Sequence, residues 1–277
     1  MIVPNSFEKI LDISIYLSKL TRKVSCSRKA SECSIFFQKN ILSAYTVFTI
    51  YNPKPVISLP ALSVGAVFQD FPSAFVIVRS MFESYINMCY LLFDSVSEEE
   101  IEHRLDLWEK HGLVEQNILL KYRNVHKEKI NENLSDIEEI RSKILKSKHF
   151  INLSDSDKQS ISYSDKWTRL NKMQLAEKAE ISLSLSQFIY KFLSNYTHSE
   201  AFSLMQIKSV SSFDESVQLS TLPKLFAEMI LALTLCKFTK LNLFDKKILT
   251  KDKEIIRIIR YWSITSKKEF EDFVSVK

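Results

Sequence analysis

Three polar residues recur at every fourth position near the end of an otherwise apolar, aromatic segment, residues 188–198. Tyr190, Ser194 and His198 would therefore lie on one face of a helix, one above the other. An imidazole at such a face can take up or release a proton near neutral pH. A Ser-His hydrolase is a poor interpretation, because the serine and the histidine share a helix, no G-x-S-x-G motif is present and no orienting acid is indicated.

A second pair of polar residues interrupts another apolar segment. Arg79 and Glu83 are one helical turn apart in a stretch whose other residues favour burial. A buried ion pair of this kind matters, since loss of one partner leaves an uncompensated charge at a cost of about 3–5 kcal/mol. His198 is a natural third group, so we expect one inter-helix cluster of Arg79, Glu83, Tyr190, Ser194 and His198. Such a cluster either organises the core or forms a functional site, and both interpretations stay open.

The composition predicts that helices position these residues. The chain has only two glycines in 277 residues, where about 19 would be expected at an average usage of roughly 7%. Strands need glycine in tight turns and nucleotide-binding α/β folds need it in phosphate loops. We therefore predict an all-α fold, a bundle of about eight helices, without a Rossmann site or a P-loop.

The helical segments are predicted to form a single domain over residues 1–277. A core of about residues 60–207 would carry the cluster, on helices at about 72–93 and 184–197. N-terminal helices within residues 5–51 and C-terminal helices within residues 223–274 would pack on this core.

Several helix boundaries are also predicted from capping residues and prolines. Ser135 and Glu138 have capping-box spacing, which predicts a helix start at Ser135. Residues 150–166 are rich in Ser and Asp and are expected to form a loop. Residues 199–220 are ambiguous, and the helix that follows is expected to begin at about Pro223.

No cofactor and no metal are expected, because the remaining histidines have no partner at metal-ligand spacing. The most apolar window, residues 225–244, contains Glu228, Lys237 and Lys240, so no membrane span is expected. The cysteines are scattered and no secretory leader opens the chain, which favours a cytoplasmic location. The last 41 residues, 237–277, hold eleven Lys/Arg against six Asp/Glu. Basic ends of this kind bind RNA in some proteins, and in others are only a solvated face.

The order of several short motifs resembles a family of uncharacterised bacterial helical proteins, classed as a domain of unknown function. The resemblance covers roughly residues 60–207 and implies a helical fold. It rests on Arg79-Ser-Met-Phe-Glu83, Tyr90-Leu-Leu, Arg104, Trp167, Met173-Gln-Leu-Ala-Glu177 and Tyr190-x-x-Leu193-Ser194-x-x-Thr197-His198.

The chain is also similar, more loosely, to the HEPN superfamily, which includes metal-independent RNases of toxin–antitoxin and abortive-infection systems. Those enzymes use an R-x4–6-H motif near a helix end. Here Lys191 stands at the position of the arginine upstream of His198, and Arg104 to His111 fits R-x6-H, with Leu105 where a polar residue is usual. The similarity implies that His198 would act as acid/base and Arg79 as the cation at the phosphate. Glu83 is a further candidate catalytic residue, and the candidate binding residues are Tyr190, Ser194, Lys191 and Arg104.

Three functions from different classes follow as hypotheses. The first is a non-enzymatic interaction module with an unknown protein partner or a second copy of the chain, in a phage-defence or stress system. The second is a homodimeric, metal-independent RNase that acts through His198. The third is a helical pocket that binds a small anionic ligand through Arg79 and His198.

Overall fold

The computed structural model describes residues 5–22, 24, 27–52, 70–123 and 126–268. Over these residues the chain is all-α, as predicted, with thirteen α-helices and no strand. Eleven of the helices have seven or more residues, so the predicted number of about eight was too low. The helices are α1 Ser6–Thr21, α2 Arg28–Tyr51, α3 Phe71–Leu92, α4 Glu98–Arg123, α5 Lys127–Lys146, α6 Lys148–Ile151, α7 Asp155–Tyr163, α8 Lys172–Lys178, α9 Leu183–Thr197, α10 Ala201–Ser209, α11 Phe213–Phe238, α12 Lys247–Thr250 and α13 Lys253–Thr265.

Serine caps explain two of the extra helices, α6 and α7. The segment expected to be a loop, residues 150–166, contains the end of α6 and all of α7. The side chains of Ser147 and Ser154 accept hydrogen bonds from the first-turn amides of these two helices. Serine, which favours a loop in this part of the sequence, thus also caps the starts of helices here. By contrast, Ser135 lies inside α5 and not at its beginning.

The longest buried helix, α11, begins ten residues before its predicted start. Ser212 caps it, accepting from the amide of Glu215, and Pro223 lies inside the helix. Next to the proline, the hydroxyls of Ser220 and Thr221 donate to the carbonyl of Val217 at 2.7 and 3.3 Å. The backbone acceptor that Pro223 cannot serve is a different one, the carbonyl of Leu219 four residues earlier.

The chain forms two compact units, residues 1–90 with 172–277 and residues 91–171. In the first unit α11 packs against α1, α2 and α13, and α8 and α10 pack against α9. In the second unit α4 packs against α5, around a small core of Leu107, Ile144 and Phe150. The single domain over residues 1–277 stays a prediction. Residues 60–69 of the predicted core and 269–274 of the predicted last helix lie outside the described residues.

One stretch among the described residues, Phe213–Leu241, is long and apolar enough to cross a membrane by length and composition alone. Its most apolar window is 67% buried inside the protein. A core helix of a soluble protein has the same properties, so this helix is compatible with a soluble protein.

Candidate functional site

Aromatic contacts between α3 and α9 set the position of the candidate site. The ring of Phe75 on α3 stacks on Tyr196 with centroids 4.3 Å apart and meets Phe192 edge-on at 5.1 Å. Tyr196 and Phe192 are both on α9, the helix that also carries Tyr190 and has His198 at its end. Because Arg79 follows Phe75 by one helical turn, this contact brings the guanidinium to the polar side of α9.

Arg79 is the centre of the site. Its Nε donates to Glu83 Oε1 at 3.2 Å, its Nη2 donates to the Tyr190 hydroxyl at 3.2 Å, and its Nη1 lies 3.2 Å from His198 Nε2. The guanidinium carbon also lies 4.8 Å from the centroid of the Tyr190 ring, within the range of a cation–π contact. The side chain of Arg79 is 13% exposed. The structure therefore brings together four of the five residues in the predicted cluster.

The contact with His198 defines the state of the imidazole. A guanidinium has only donors, so Nε2 of His198 must accept this hydrogen bond and the proton must be on Nδ1. The bond therefore requires a neutral imidazole. His198 is exposed at the end of α9, which leaves the ring at the solvent side of the partly buried arginine.

Two lysines that the sequence analysis missed complete the site. Lys172 Nζ, at the start of α8, lies 3.0 Å from Glu83 Oε2. Lys39, an exposed residue of α2, interacts electrostatically with Glu83 and Lys172: desolvation lowers its pKa, Glu83 opposes this shift and Lys172 adds to it. Neither lysine has a spacing relation to the cluster in sequence, because each comes from a different helix.

Lys172 and Arg79 keep the Glu83 carboxylate ionised. Partial burial alone would raise the pKa of its carboxyl, but hydrogen bonds and charges from Lys172 and Arg79 outweigh burial and hold the pKa below its ordinary value of 4.5. We call the set of Arg79, Glu83, Lys172, Lys39, Tyr190 and His198 the Arg79 cluster. It contains three cations and one carboxylate.

Two other predicted site residues of α9 do not contact Arg79. The Ser194 hydroxyl donates to the carbonyl of Tyr190 at 2.6 Å, within its own helix. This is the usual way in which a serine inside a helix satisfies its hydroxyl. Lys191 is exposed on α9. Its role as a binding residue stays a prediction.

Arg104 lies in the second unit and is engaged by acids. Its Nη1 donates to Asp94 Oδ2 at 3.0 Å, and its Nη2 donates to Glu100 one turn earlier on α4. The side chains of Arg104 and Asp94 are only 8% and 9% exposed. Two turns later, His111 Nδ1 lies 2.9 Å from the carbonyl oxygen of Asp165. The R-x6-H spacing thus coincides with a buried ion pair and a loop contact, and a binding role for Arg104 stays a prediction.

The described residues contain no group of three or more His, Cys, Asp or Glu side chains placed to hold a metal ion. The described cysteines, Cys33, Cys89 and Cys236, are free thiols. The Arg79 cluster itself offers hydrogen-bond donors, positive charge and an imidazole.

Fold and site together define an all-α protein with a cationic cluster between helices. Residues 61–216 match a family of unknown function, DUF5677. This range is more than half of the chain, and the chain belongs to that family, which confirms the resemblance to a family of unknown function. All residues of the Arg79 cluster except Lys39 lie inside the matched range. No curated protein and no solved structure matches the chain. The HEPN similarity and a bacterial origin stay predictions.

Proposed function

We propose that the Arg79 cluster binds a small anionic ligand that carries a phosphate group. Of the three functions considered from the sequence, this is the one that the geometry supports best. The observation that carries the proposal is a charge imbalance: Arg79 and Lys172 both pair with a single carboxylate, Glu83. The exposed Lys39, which interacts electrostatically with Glu83, adds to the positive excess. A partly buried excess of positive charge is costly unless an anion compensates it.

The hydrogen-bond donors of Arg79 support the same proposal. A guanidinium has five N–H donors in a planar fork. Glu83, Tyr190 and His198 account for three of them, and no other acceptor for Arg79 occurs among the described residues. Two donors is the number that a bidentate contact with a phosphate needs.

The proposal is tested by calorimetric titration of the full chain with inorganic phosphate, pyrophosphate and 5′-AMP. We expect saturable binding, and Arg79→Gln should weaken it about 10- to 100-fold, since a charge-assisted hydrogen bond contributes about 1.5–3 kcal/mol. Lys172→Gln, which alters a more exposed side chain, should weaken binding by a smaller factor and remains informative if the arginine variant unfolds. Arg141→Gln on α5 is the matched control, because that arginine is 49% exposed.

Two results would overturn the proposal. One is that none of the three probes binds the wild-type chain more tightly than about 1 mM. The other is that folded Arg79→Gln and Lys172→Gln variants bind a probe as tightly as the wild type does.

A second candidate function is metal-independent cleavage of RNA. The observation in its favour is that Nε2 of the solvent-exposed His198 lies 3.2 Å from Nη1 of Arg79. A bound phosphate that took over the Arg79 donors would free Nε2 of His198. That nitrogen could then accept the proton of a ribose 2′-hydroxyl as the 2′ oxygen attacks phosphorus, and return the proton to the departing 5′ oxygen.

This candidate is tested with an RNA oligonucleotide in the presence of EDTA. Cleavage should stop with His198→Ala and with a single 2′-deoxy substitution at the cut site, while phosphate binding by the His198→Ala variant persists. Uncut RNA, or equal cutting by wild type and variant, would refute cleavage and leave anion binding standing.

A further inference from the structure

The outer face of α13 presents a row of cations. Lys253, Arg257 and Arg260 are all exposed. At 100° per residue they fall within about 60° of one another around the helix axis, and at 1.5 Å per residue they span about 10 Å along it. Ile256 and Ile264, which are 41% and 53% exposed, lie along the same face. We call these five residues the basic face of α13.

The opposite face of α13 fixes the helix to the first unit. Ile255, Ile258 and Trp262 are buried, and α13 packs against α11 and α1. Trp262 Nε1 donates to Glu228 Oε1 on α11 at 2.8 Å. Because its apolar side is used in packing, α13 cannot insert that side into a lipid surface or a partner's groove, and charge is what its outer face offers.

The acids near the basic face do not neutralise it. Asp245 and Asp252 use their carboxylates to accept backbone amides at the starts of α12 and α13. Glu254 pairs with Lys9 of α1. Within the described part of the chain, no ion pair engages Lys253, Arg257 or Arg260. From Lys240 to Lys268 the sequence holds nine Lys/Arg against three Asp/Glu, so the surface keeps a strong positive excess.

Lys253 is placed against its local electrostatics. It is the first residue of α13, where the helix dipole disfavours a cation and favours an anion. A cation at this position lowers the stability of the helix. Together with the two arginines one and two turns later, it forms a surface that is complementary to a polyanion.

We propose that the basic face of α13 binds the phosphate backbone of single-stranded nucleic acid. Its cations form one row, which suits one line of phosphates, whereas a duplex groove presents two lines of phosphates about 6–12 Å apart. The length of the row, about 10 Å, corresponds to about three phosphates at the 3.4 Å axial rise of one strand. This surface lies outside the residues that match the family, 61–216, and the inference does not depend on the ligand of the Arg79 cluster.

The test measures binding of a fluorescent 20-nucleotide single strand by anisotropy as a function of salt, with the full chain and the triple variant Lys253→Gln/Arg257→Gln/Arg260→Gln. Each phosphate contact to a single strand contributes about −0.7 to the slope of log K against log salt. Loss of three contacts should therefore reduce the steepness of this slope by about 2. Equivalently, when the salt concentration is raised from about 50 to about 200 mM, the fold-loss of affinity should be about 20 times smaller for the variant than for wild type.

A second triple variant controls for net charge. Lys127→Gln/Lys129→Gln/Lys146→Gln removes three positive charges from exposed positions on α5 and should leave the slope nearly unchanged. All six substituted side chains are exposed. The melting temperature of both variants should therefore differ from that of wild type only by the small amount that surface substitutions cause.

The inference is overturned if wild type does not bind the single strand at low salt, or if the α13 variant keeps the wild-type slope. It is also overturned if the α5 variant loses as much as the α13 variant, or if a DNA duplex or vesicles with phosphatidylserine bind more tightly through the same three residues. Phosphate binding at the Arg79 cluster should persist in the α13 variant, so failure of either proposal can be told apart from failure of the other.

Discussion

Glu83→Gln tests whether the Arg79 cluster is a site for an anion or only a packing device. The substitution keeps the shape of the side chain and removes the single carboxylate between Arg79 and Lys172. The Glu83 side chain is 29% exposed, so its ion pairs lie between a surface pair, worth up to about 1 kcal/mol, and a buried pair, whose disruption costs about 3–5 kcal/mol. We expect the free energy of unfolding to fall by about 2 kcal/mol.

The same substitution should strengthen phosphate binding. Two unit charges about 6 Å apart at an effective dielectric constant of about 20 interact by about 3 kcal/mol. Partial exposure of Glu83 weakens its repulsion of a bound anion. Removal of the carboxylate should therefore make the free energy of phosphate binding more favourable by at least about 1 kcal/mol. The affinity for inorganic phosphate should then rise about fivefold or more, and phosphate should raise the melting temperature of the variant more than that of wild type.

The assay is calorimetric titration with phosphate, together with thermal unfolding at several phosphate concentrations. Glu132→Gln is the matched control, because this carboxylate is 65% exposed and pairs with Lys129 on α5. The control should change neither stability by more than about 0.5 kcal/mol nor phosphate affinity. If Glu83→Gln destabilises the protein but binds phosphate no more tightly than wild type, the cluster is structural and the charge argument is refuted.

Two further predictions concern the second unit. Arg104→Met should lower the free energy of unfolding by about 3 kcal/mol, because it removes the arginine partner of the buried Asp94 carboxylate. Urea unfolding measures this change, with Arg141→Met at an exposed position as the control. A loss of less than about 1 kcal/mol would contradict the prediction. Burial, assisted by the charge of His149, lowers the pKa of His103 from 6.5 to about 4. The unfolded chain then binds this proton more readily, so stability should fall as pH decreases from about 6.5 to about 4, by up to about 3 kcal/mol. His103→Asn should flatten this dependence in urea unfolding at several pH values, and equal pH dependence in both proteins would refute the assignment.

The main helices were predictable because their signals are local. The third and ninth helices begin and end within one residue of the predicted bounds, since apolar periodicity and flanking polar residues determine them. The errors arose where one signal supports two outcomes. Serines at 147 and 154 cap helices but also favour loops, and Pro223 stands inside a helix because buried packing of α11 outweighs the lost hydrogen bond.

The candidate site was predictable only within each helix. Four-residue spacing placed Arg79 with Glu83 and Tyr190 with His198, since such spacing follows from helix geometry. Contact between the two pairs depends on the way Phe75 packs against the rings of α9, and no local pattern specifies that register.

Lys172 and Lys39 show the physical reason why charge balance could not be read from the sequence. Their charges act on Glu83 only because α8 and α2 reach the same place as α3 in the folded chain. With Arg79 and Glu83 alone, the pair is neutral and needs no ligand, and a structural role would explain it fully. With two more lysines the cluster has an excess of positive charge beside the partly buried Arg79, and packing alone does not require that excess. The excess charge therefore favours an anion as the missing partner, and the response of phosphate affinity to Glu83→Gln decides between these two roles.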